Sequence, residues 1–178
     1  KKRSYLINNT IVNNVAMSSS ESGYTGGVHL NAPQTRGRWF NNIIWGNRAN
    51  SDDNRKHNIE YIPGNNNYNV NSGYNNIEYL ASYQDGSDGA NFWNQDGSSM
   101  DFDPGFVNPS SNYRLTDASP LIGAGTMLYK THSGDAGTPT FKKDILGNIR
   151  PTPDGSNPDL GAYENKLATS PYPKQVEI

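Results

Sequence analysis

The sequence predicts an all-β protein, and within that class a right-handed parallel β-helix solenoid of few coils with an irregular C-terminal cap. Short apolar runs recur at a nearly constant interval, asparagine is abundant, and no window places apolar residues at helical spacing. The 25 asparagines are about one residue in seven, and asparagine disfavours helix interiors because its amide competes for backbone hydrogen bonds. The chain should therefore consist mostly of strands and turns.

Three similar phrases, NNTIVNN (8–14), NNIIWGN (41–47) and NNIEYLA (75–81), start 33 and 34 residues apart. Each places an asparagine pair before a short run of β-branched or aromatic residues, which is a strand signal beside a turn. GGVHLN (26–31) adds a strand opened by glycines, and RGRWFNN (36–42) leads into the second phrase. This period is typical of a solenoid, in which stacked coils bury a continuous narrow core that no single coil could bury.

Stacked coils would align equivalent side chains. We expect Asn9, Asn42 and Asn76 to form a ladder at one corner, because asparagine tolerates left-handed geometry and its amides can stack. The alternative is a β-sandwich with three asparagine-rich turns. The apolar side chains expected to point inward are Ile7, Ile11, Ile43, Trp45, Ile77 and Tyr79.

The amino-acid composition changes after residue 82, where aspartate, glycine and serine dominate. We divide the chain into coils (1–82), loop-rich last coils with a C-terminal cap (83–164), and an extended tail or linker (165–178). A cap is needed because the end of a solenoid exposes open strand edges and an uncovered core.

The last third contains DPGFVNPSSNYRLTDASPLIGAG (103–125), DILGNIRP (144–151) and DLGAYE (159–164). This ordered series resembles the C-terminal end of pectate-lyase-like β-helix proteins of bacterial surfaces, including those with polymorphic-outer-membrane-protein-like repeats. The coil phrases resemble the repeats of the same proteins. The resemblance implies a secreted or surface-attached, outer-membrane-associated protein, often from Bacteroidetes-like bacteria.

The resembled proteins include polysaccharide lyases, glycan-binding proteins and adhesins, so the fold alone does not choose a function. In the lyases, an arginine or lysine abstracts a proton beside a calcium-bound uronate on central coils. Because this chain starts at Lys1 without a methionine, we expect it to hold the last coils of a longer protein. Such a cleft would lie mostly upstream, and the partner could be an upstream β-helix chain or an outer-membrane complex.

Composition excludes several classes of function. The net charge of -2 and the absence of a basic block predict no basic surface that would bind the phosphates of a nucleic acid. No run of about 18 apolar residues is present, so no transmembrane segment is predicted. The absence of cysteine excludes disulfides, thiolate metal sites and a cysteine nucleophile.

A calcium ion is the one cofactor that the sequence suggests, and none is required. The ligands would be the aspartates of one acidic loop region, because Ca²⁺ prefers hard oxygen ligands. Their spacing matches no calcium motif, and aspartate also forms turns by accepting local backbone N–H bonds. The candidate ligands are Asp85, Asp88, Asp96, Asp101 and Asp103.

Two further groups are candidates for binding an extracellular polysaccharide. Trp93, flanked by Asn91 and Asn94, pairs an exposed aromatic face with amides, as sugar rings require. Arg55 and Lys56 are the other candidate ligand-binding residues.

The same basic run continues into His57 and follows two aspartates, so a lyase-type base cluster is conceivable there. A mixed-charge run without neighbouring apolar residues is more typical of a solvated face. We therefore predict a glycan-binding, adhesive or structural surface protein rather than a catalyst. The alternative is a fragment of a polysaccharide lyase or glycoside hydrolase.

Overall fold

A computed structural model describes residues 3–17, 25–31, 36–49, 57–62, 69–80, 98–129 and 138–169. The described residues are all-β, with no α-helix among them. The strands are β1 (Arg3–Ile7), β2 (Thr10–Val12), β3 (Val15–Ala16), β4 (Val28–Asn31), β5 (Arg36–Phe40), β6 (Ile43–Trp45), β7 (Arg48–Ala49), β8 (Ile59–Ile62), β9 (Asn69–Gly73), β10 (Asn76–Ile77), β11 (Phe106–Asn108), β12 (Asn112–Leu115), β13 (Leu128–Tyr129) and β14 (Thr138–Pro139).

The first ten strands form parallel sheets in which equivalent strands of successive repeats are neighbours. We call β1–β4 pass one, β5–β8 pass two and β9–β10 pass three. The sheets have the orders β1-β5-β9, β2-β6-β10, β3-β7 and β4-β8, so each strand pairs with its equivalent in the next pass. Parallel neighbours cannot be joined by a tight hairpin, and here the rest of each pass supplies the connection.

A constant register joins the passes at their first corner. Ile44 lies opposite Ile11 on one side and Ile77 on the other. These three form a column within a cluster that also contains Trp39 and Ile59. Hydrogen bonds between equivalent asparagines span 33 residues at both steps. The inward prediction is therefore confirmed for Ile11 and Ile77.

Ile43 and Trp45 point the other way, and the prediction that they face inward is wrong. Strand side chains alternate between the two faces, so Ile44 in the inner column places both neighbours on the outer face. There Ile43 is buried against Leu121 and Leu160 of the C-terminal segment, by which we mean residues 98–129 and 138–169. The outer face of this sheet is thus the floor of a second apolar core.

Each pass bends at left-handed residues in equivalent positions. Asn8, Asn41 and Tyr74 have φ of 55°, 59° and 53°. Asparagine visits this region more readily than other non-glycine residues, because its short side chain bonds locally to the backbone. Gly46 stands at the next bend with φ of 66°, and a Cβ there would lie 2.4 Å from Asn13 Oδ1.

A ladder of amides follows the first bend. Asn42 Oδ1 accepts hydrogen bonds from the N–H and Nδ2 of Asn9, at 2.9 and 3.2 Å. Asn75 Oδ1 accepts the equivalent pair from Asn42, at 3.1 and 2.8 Å. The predicted rungs Asn9 and Asn42 are confirmed. The predicted rung Asn76 is wrong: the constant register brings Asn75 into line, and the Asn76 side chain bonds to the backbone of Phe102.

A second ladder runs along the next bend. Asn47 Oδ1 accepts from the N–H and Nδ2 of Asn14, and Asn58 Oδ1 accepts from those of Asn47. Asn58 Nδ2 then donates to Glu78 Oε2 at 2.9 Å. Arg48 also pairs with Glu78, so a charged residue ends this ladder.

The C-terminal segment is irregular and packs along the outer face of the passes. Gly161 N–H donates to Asn41 O at 2.7 Å, and Ala162 N–H donates to Thr10 Oγ1 at 2.9 Å. A Cβ on Gly161 would lie 2.6 Å from Thr10 Oγ1 and 2.7 Å from Ile43 Cδ1. Glycine at 161 therefore allows the segment to approach the stack this closely.

Candidate functional site

Most of the side chains predicted to bind ligand or metal lie outside the described residues. Those residues are Trp93, Asn91, Asn94, Arg55, Lys56, Asp85, Asp88 and Asp96. Their predicted roles stay predictions.

The two described members of the acidic group bond to backbone amides. Asp101 Oδ2 accepts from Leu80 N–H at 3.2 Å, and Asp103 Oδ1 accepts from Gly105 N–H at 2.8 Å. Within the described ranges, no three histidine or acidic side chains come together in a way that could hold a metal ion. The calcium prediction remains a prediction that depends mainly on Asp85, Asp88 and Asp96.

His57, at the end of the basic run, is held within the stack. Its Nδ1 accepts a hydrogen bond from Ala49 N–H at 3.0 Å. Its carbonyl accepts from the N–H groups of Gly26 and Gly27, both at 3.2 Å. The carbonyl bonds join pass one to pass two, and the imidazole bond lies within pass two, so this histidine has a structural role.

A buried ionic cluster, formed by Asp144, Arg150, Asp159 and Glu164, organises the C-terminal segment. Arg150 Nε lies 2.8 Å from Glu164 Oε2, and both side chains are only 1% exposed. Arg150 Nη1 also donates to Gly161 O at 2.9 Å. Burying charges is costly unless they are paired, and this arginine pairs with both an acid and a carbonyl.

The carboxylates of the cluster accept hydrogen bonds from backbone N–H groups that have no partner in a regular sheet. Asp159 accepts from Gly123 at 2.8 Å and from Asn165. Glu164 accepts from Thr152 at 3.0 Å. Buried backbone donors need partners, so these carboxylates replace the missing sheet bonds.

Asp144 does the same at the edge of the cluster. Its Oδ1 accepts from the N–H groups of Leu146 and Asn148, both at 2.8 Å. Burial alone would raise the pKa of Asp144, but hydrogen bonds from Asn148, Glu164 and Leu146 outweigh it and lower the pKa.

The environment raises the pKa values of the two most deeply buried acids, Asp159 and Glu164. Burial, followed by the charge of Glu164, raises the pKa of Asp159 to about 7, against hydrogen bonds from Asn165 and Gly123. Burial also raises the pKa of Glu164, although the Arg150 guanidinium opposes the change. A raised carboxyl pKa can indicate a general acid. Asp159, however, is fully buried, and both of its oxygens accept backbone hydrogen bonds, so the cluster is suited to holding structure.

An open groove lies on the solvent side of the cluster. We call it the C-terminal groove; its volume is about 210 Å³. It is lined by Arg114, Leu115, Asp117, Tyr163, Glu164, Asn165 and Lys166. None of these residues was singled out from the sequence as a site.

Asn165 connects the groove to the cluster below it. Its N–H donates to Asp159, and its Nδ2 donates to Leu115 O at 3.3 Å and to Asp117 Oδ1 at 3.0 Å. Its Oδ1 accepts from Leu167 N–H at 3.0 Å. The floor of the groove is therefore fixed from beneath, which limits the ordering cost when a ligand binds.

The two cations of the groove are available to a ligand. Neither the Arg114 guanidinium nor the Lys166 ammonium makes a hydrogen bond or ion pair with the described residues. Tyr163 lines the same groove and is half-buried, so part of its aromatic side chain is open to a ligand. A planar guanidinium, an ammonium and an aromatic ring suit a ligand with carboxylate groups and apolar ring faces.

The comparisons with known proteins give no relative. No family model matches the chain, and no curated protein or solved structure matches it. The described part of the chain also contains no helix with the length and apolar character needed to span a bilayer.

Proposed function

We propose that the protein is the C-terminal part of a right-handed parallel β-helix that binds an extracellular, acidic polysaccharide at the C-terminal groove. The solenoid assignment is supported by the constant register of the parallel passes and by the two amide ladders. A bacterial cell-surface or extracellular location belongs to the same proposal and follows the sequence resemblance.

The observation that carries the binding proposal is the pair of unengaged cations beside Tyr163. Uronate sugars combine carboxylates with apolar ring faces, and a charged hydrogen bond from arginine or lysine is about twice as strong as a neutral one. Asp117 lies in the same groove, with Oδ1 bonded to Asn165. Its other oxygen can accept from sugar hydroxyl groups.

Binding without cleavage fits the groove better than catalysis. The nearest acids with raised pKa values are Asp159 and Glu164, and their oxygens already accept backbone hydrogen bonds. A general acid must reach the atom that it protonates, at about 2.6–3.2 Å. These carboxyls would have to leave the cluster to do so.

The test is a binding panel of acidic and neutral polysaccharides: polygalacturonate, alginate, xylan and dextran. We expect the acidic polymers to bind, and the double variant Arg114→Ala/Lys166→Ala to bind them at least tenfold more weakly. Lys142→Ala is the matched control, because Lys142 is exposed and lies outside the groove. Equal binding by the double variant would contradict the proposed site.

Two further arms separate the alternatives. If Trp93→Ala abolishes binding while the groove variants retain it, the ligand binds at the loop predicted from the sequence. The lyase alternative would release unsaturated uronate products in the presence of Ca²⁺. We expect none from the same polymers.

A further inference from the structure

The amide ladders have a direction, and it leaves two acceptors of the first pass without a donor among the described residues. At each step between passes, an asparagine Oδ1 accepts two hydrogen bonds from the equivalent asparagine of the preceding pass: Asn75 from Asn42, Asn42 from Asn9 and Asn47 from Asn14. The remaining step, from Asn47 to Asn58, runs within pass two. Asn9 Oδ1, at the start of the first ladder, accepts no hydrogen bond from the described residues. Asn14 Oδ1, at the start of the second ladder, accepts none either. Two amide acceptors thus face the side where a preceding pass would lie.

The backbone repeats this pattern. Ile43 N–H donates to Asn9 O and Arg48 N–H donates to Asn14 O, both at 2.8 Å. The equivalent donors of pass one are the N–H groups of Thr10 and Val15, by the register of the strands. Among the described strands, β2 pairs only with β6 and β3 only with β7. These donors therefore belong to an open sheet edge.

The opposite edge of the stack is covered. Asn75 N–H donates to Ser99 Oγ at 3.2 Å, and Asn76 exchanges two hydrogen bonds with the backbone of Phe102, both at 2.9 Å. Met100 adds a parallel bridge to Asn76. The chain therefore finishes its last ladder rung with its own residues.

An exposed apolar patch lies beside the open edge. Its members are Phe141, Ile145, Leu146 and Ile149, which are 61%, 68%, 53% and 70% exposed. A notch of about 240 Å³ separates this patch from pass one; its lining includes Ile7, Asn8, Asn9, Phe141 and Ile145. Isolated surface apolar residues are ordinary, but Phe141 and Ile145 line this notch together with Asn9, the open end of the first ladder, which indicates an interaction surface.

We infer that the first-pass edge binds a parallel β-strand of another polypeptide segment, which carries asparagines five residues apart and an apolar residue after the first. Its amides donate to Asn9 Oδ1 and Asn14 Oδ1, and its carbonyls accept from the N–H groups of Thr10 and Val15. Its apolar residue packs into the notch, as Ile43 packs on the outer face of pass two. The occupant is thus a polypeptide with the chemistry of pass two, where Asn42, Ile43 and Asn47 have this spacing.

A second copy of the chain is a poor occupant. Its last edge is taken by Ser99 and Phe102. Two first-pass edges placed together would bring the side-chain acceptors of Asn9 and Asn14 against the same acceptors, because the side-chain N–H groups of both asparagines donate within the stack. The inference rests on the stacking of the passes and does not depend on the glycan groove.

The test uses the full chain and a peptide of residues 36–49, which contains Asn42 and Asn47. The readout is amide hydrogen exchange at Thr10 and Val15. We expect saturating peptide to slow exchange at both at least tenfold, and a peptide with Asn42→Ala and Asn47→Ala to bind at least fivefold more weakly. Ile145→Ser in the protein should weaken binding severalfold without lowering the unfolding midpoint.

A second arm removes the need for strong binding in trans. A copy of residues 36–68 fused directly before Arg3 supplies the strand at a high effective concentration. The fusion should protect Thr10 and Val15, and alanine at both ladder positions of the copy should remove that protection. Unchanged exchange in both the peptide and the fusion arm would overturn the inference. So would protection that rises with protein concentration in the absence of peptide, which would identify a second copy as the occupant.

Discussion

The ladders of the stacked passes bury neutral amides, whereas the ionic cluster of the C-terminal segment buries an arginine and three acids. In the stack, Asn42 is fully buried and finds its partners in equivalent residues one pass away. In the C-terminal segment, Arg150 and Glu164 are just as deeply buried, but each meets a chemically different partner. A repeated structure can satisfy a polar side chain with copies of itself, while a unique segment needs complementary charges.

This difference affects how each region should respond to mutation. Removing one amide from a ladder leaves neutral groups unsatisfied, at about 1–3 kcal/mol each. Removing one charge from the cluster leaves the opposite charge buried and unpaired, which costs about 3–5 kcal/mol. The two regions should also respond differently to pH, because asparagine does not titrate.

The largest effect should come from Arg150→Met. The variant keeps the volume but leaves Glu164 without its ion pair, so the free energy of unfolding should fall by about 3–5 kcal/mol. Urea denaturation measures the loss. Arg114→Met is the matched control, since that arginine is exposed, and it should change stability by less than about 0.5 kcal/mol. Similar losses in the two variants would contradict the structural role of the cluster.

The next effect is the pH dependence that Asp159 imposes. Its pKa in the folded protein is about 7, above the ordinary value near 4, so the folded state holds the proton more tightly than the unfolded state. The stability that this proton contributes is complete below about pH 4 and is lost as the pH rises through about 7, up to about 4 kcal/mol.

Asp159→Asn should remove most of this slope. The variant should be less stable than the wild type near pH 4.5, because one of the two backbone N–H groups loses its acceptor, and more stable near pH 7.5, because it avoids burying a charged carboxylate. Urea denaturation of both proteins at several pH values between 4.5 and 7.5 measures the difference. Parallel curves for the two proteins would show that Asp159 does not titrate in this range.

A smaller effect should separate the interior of a ladder from its open end. Asn47→Ala removes bonds to Asn14, Asn58 and Ile11 O, and should lower the free energy of unfolding by about 2–3 kcal/mol. Asn14→Ala removes only bonds at the exposed end and should cost less than about 1 kcal/mol. Equal losses would mean that the ladder position does not matter. Asn157→Ala, in an exposed loop, controls for removing any asparagine.

The sequence predicts the class of fold and two rungs of the first ladder because they depend on repetition. Asn9 and Asn42 hold equivalent positions in two copies of one phrase. The predicted third rung is one residue too late. Tyr74 occupies the bend position that asparagine occupies in the other passes, so Asn75, and not Asn76, aligns with Asn42.

The groove and the ionic cluster could not be found by repetition or spacing. Arg150, Asp159 and Glu164 come from separate turns and meet only because the segment folds over the outer face of the passes. One signal was present: charges lie within the apolar phrases DILGNIRP and DLGAYE, where a solvated residue would not be expected. The role of Asn58 in the second ladder could not be predicted, because its position has no counterpart in the sequence repeat.

The central claim is the constant register that stacks equivalent residues, and double-mutant cycles test it most directly. One cycle combines Asn42→Ala with Asn75→Ala, and the other combines Asn42→Ala with Asn76→Ala. The observed ladder predicts a coupling of about 1–2 kcal/mol between Asn42 and Asn75 and less than about 0.5 kcal/mol between the side chains of Asn42 and Asn76. Strong coupling to Asn76 with none to Asn75 would contradict the register and the stack built on it.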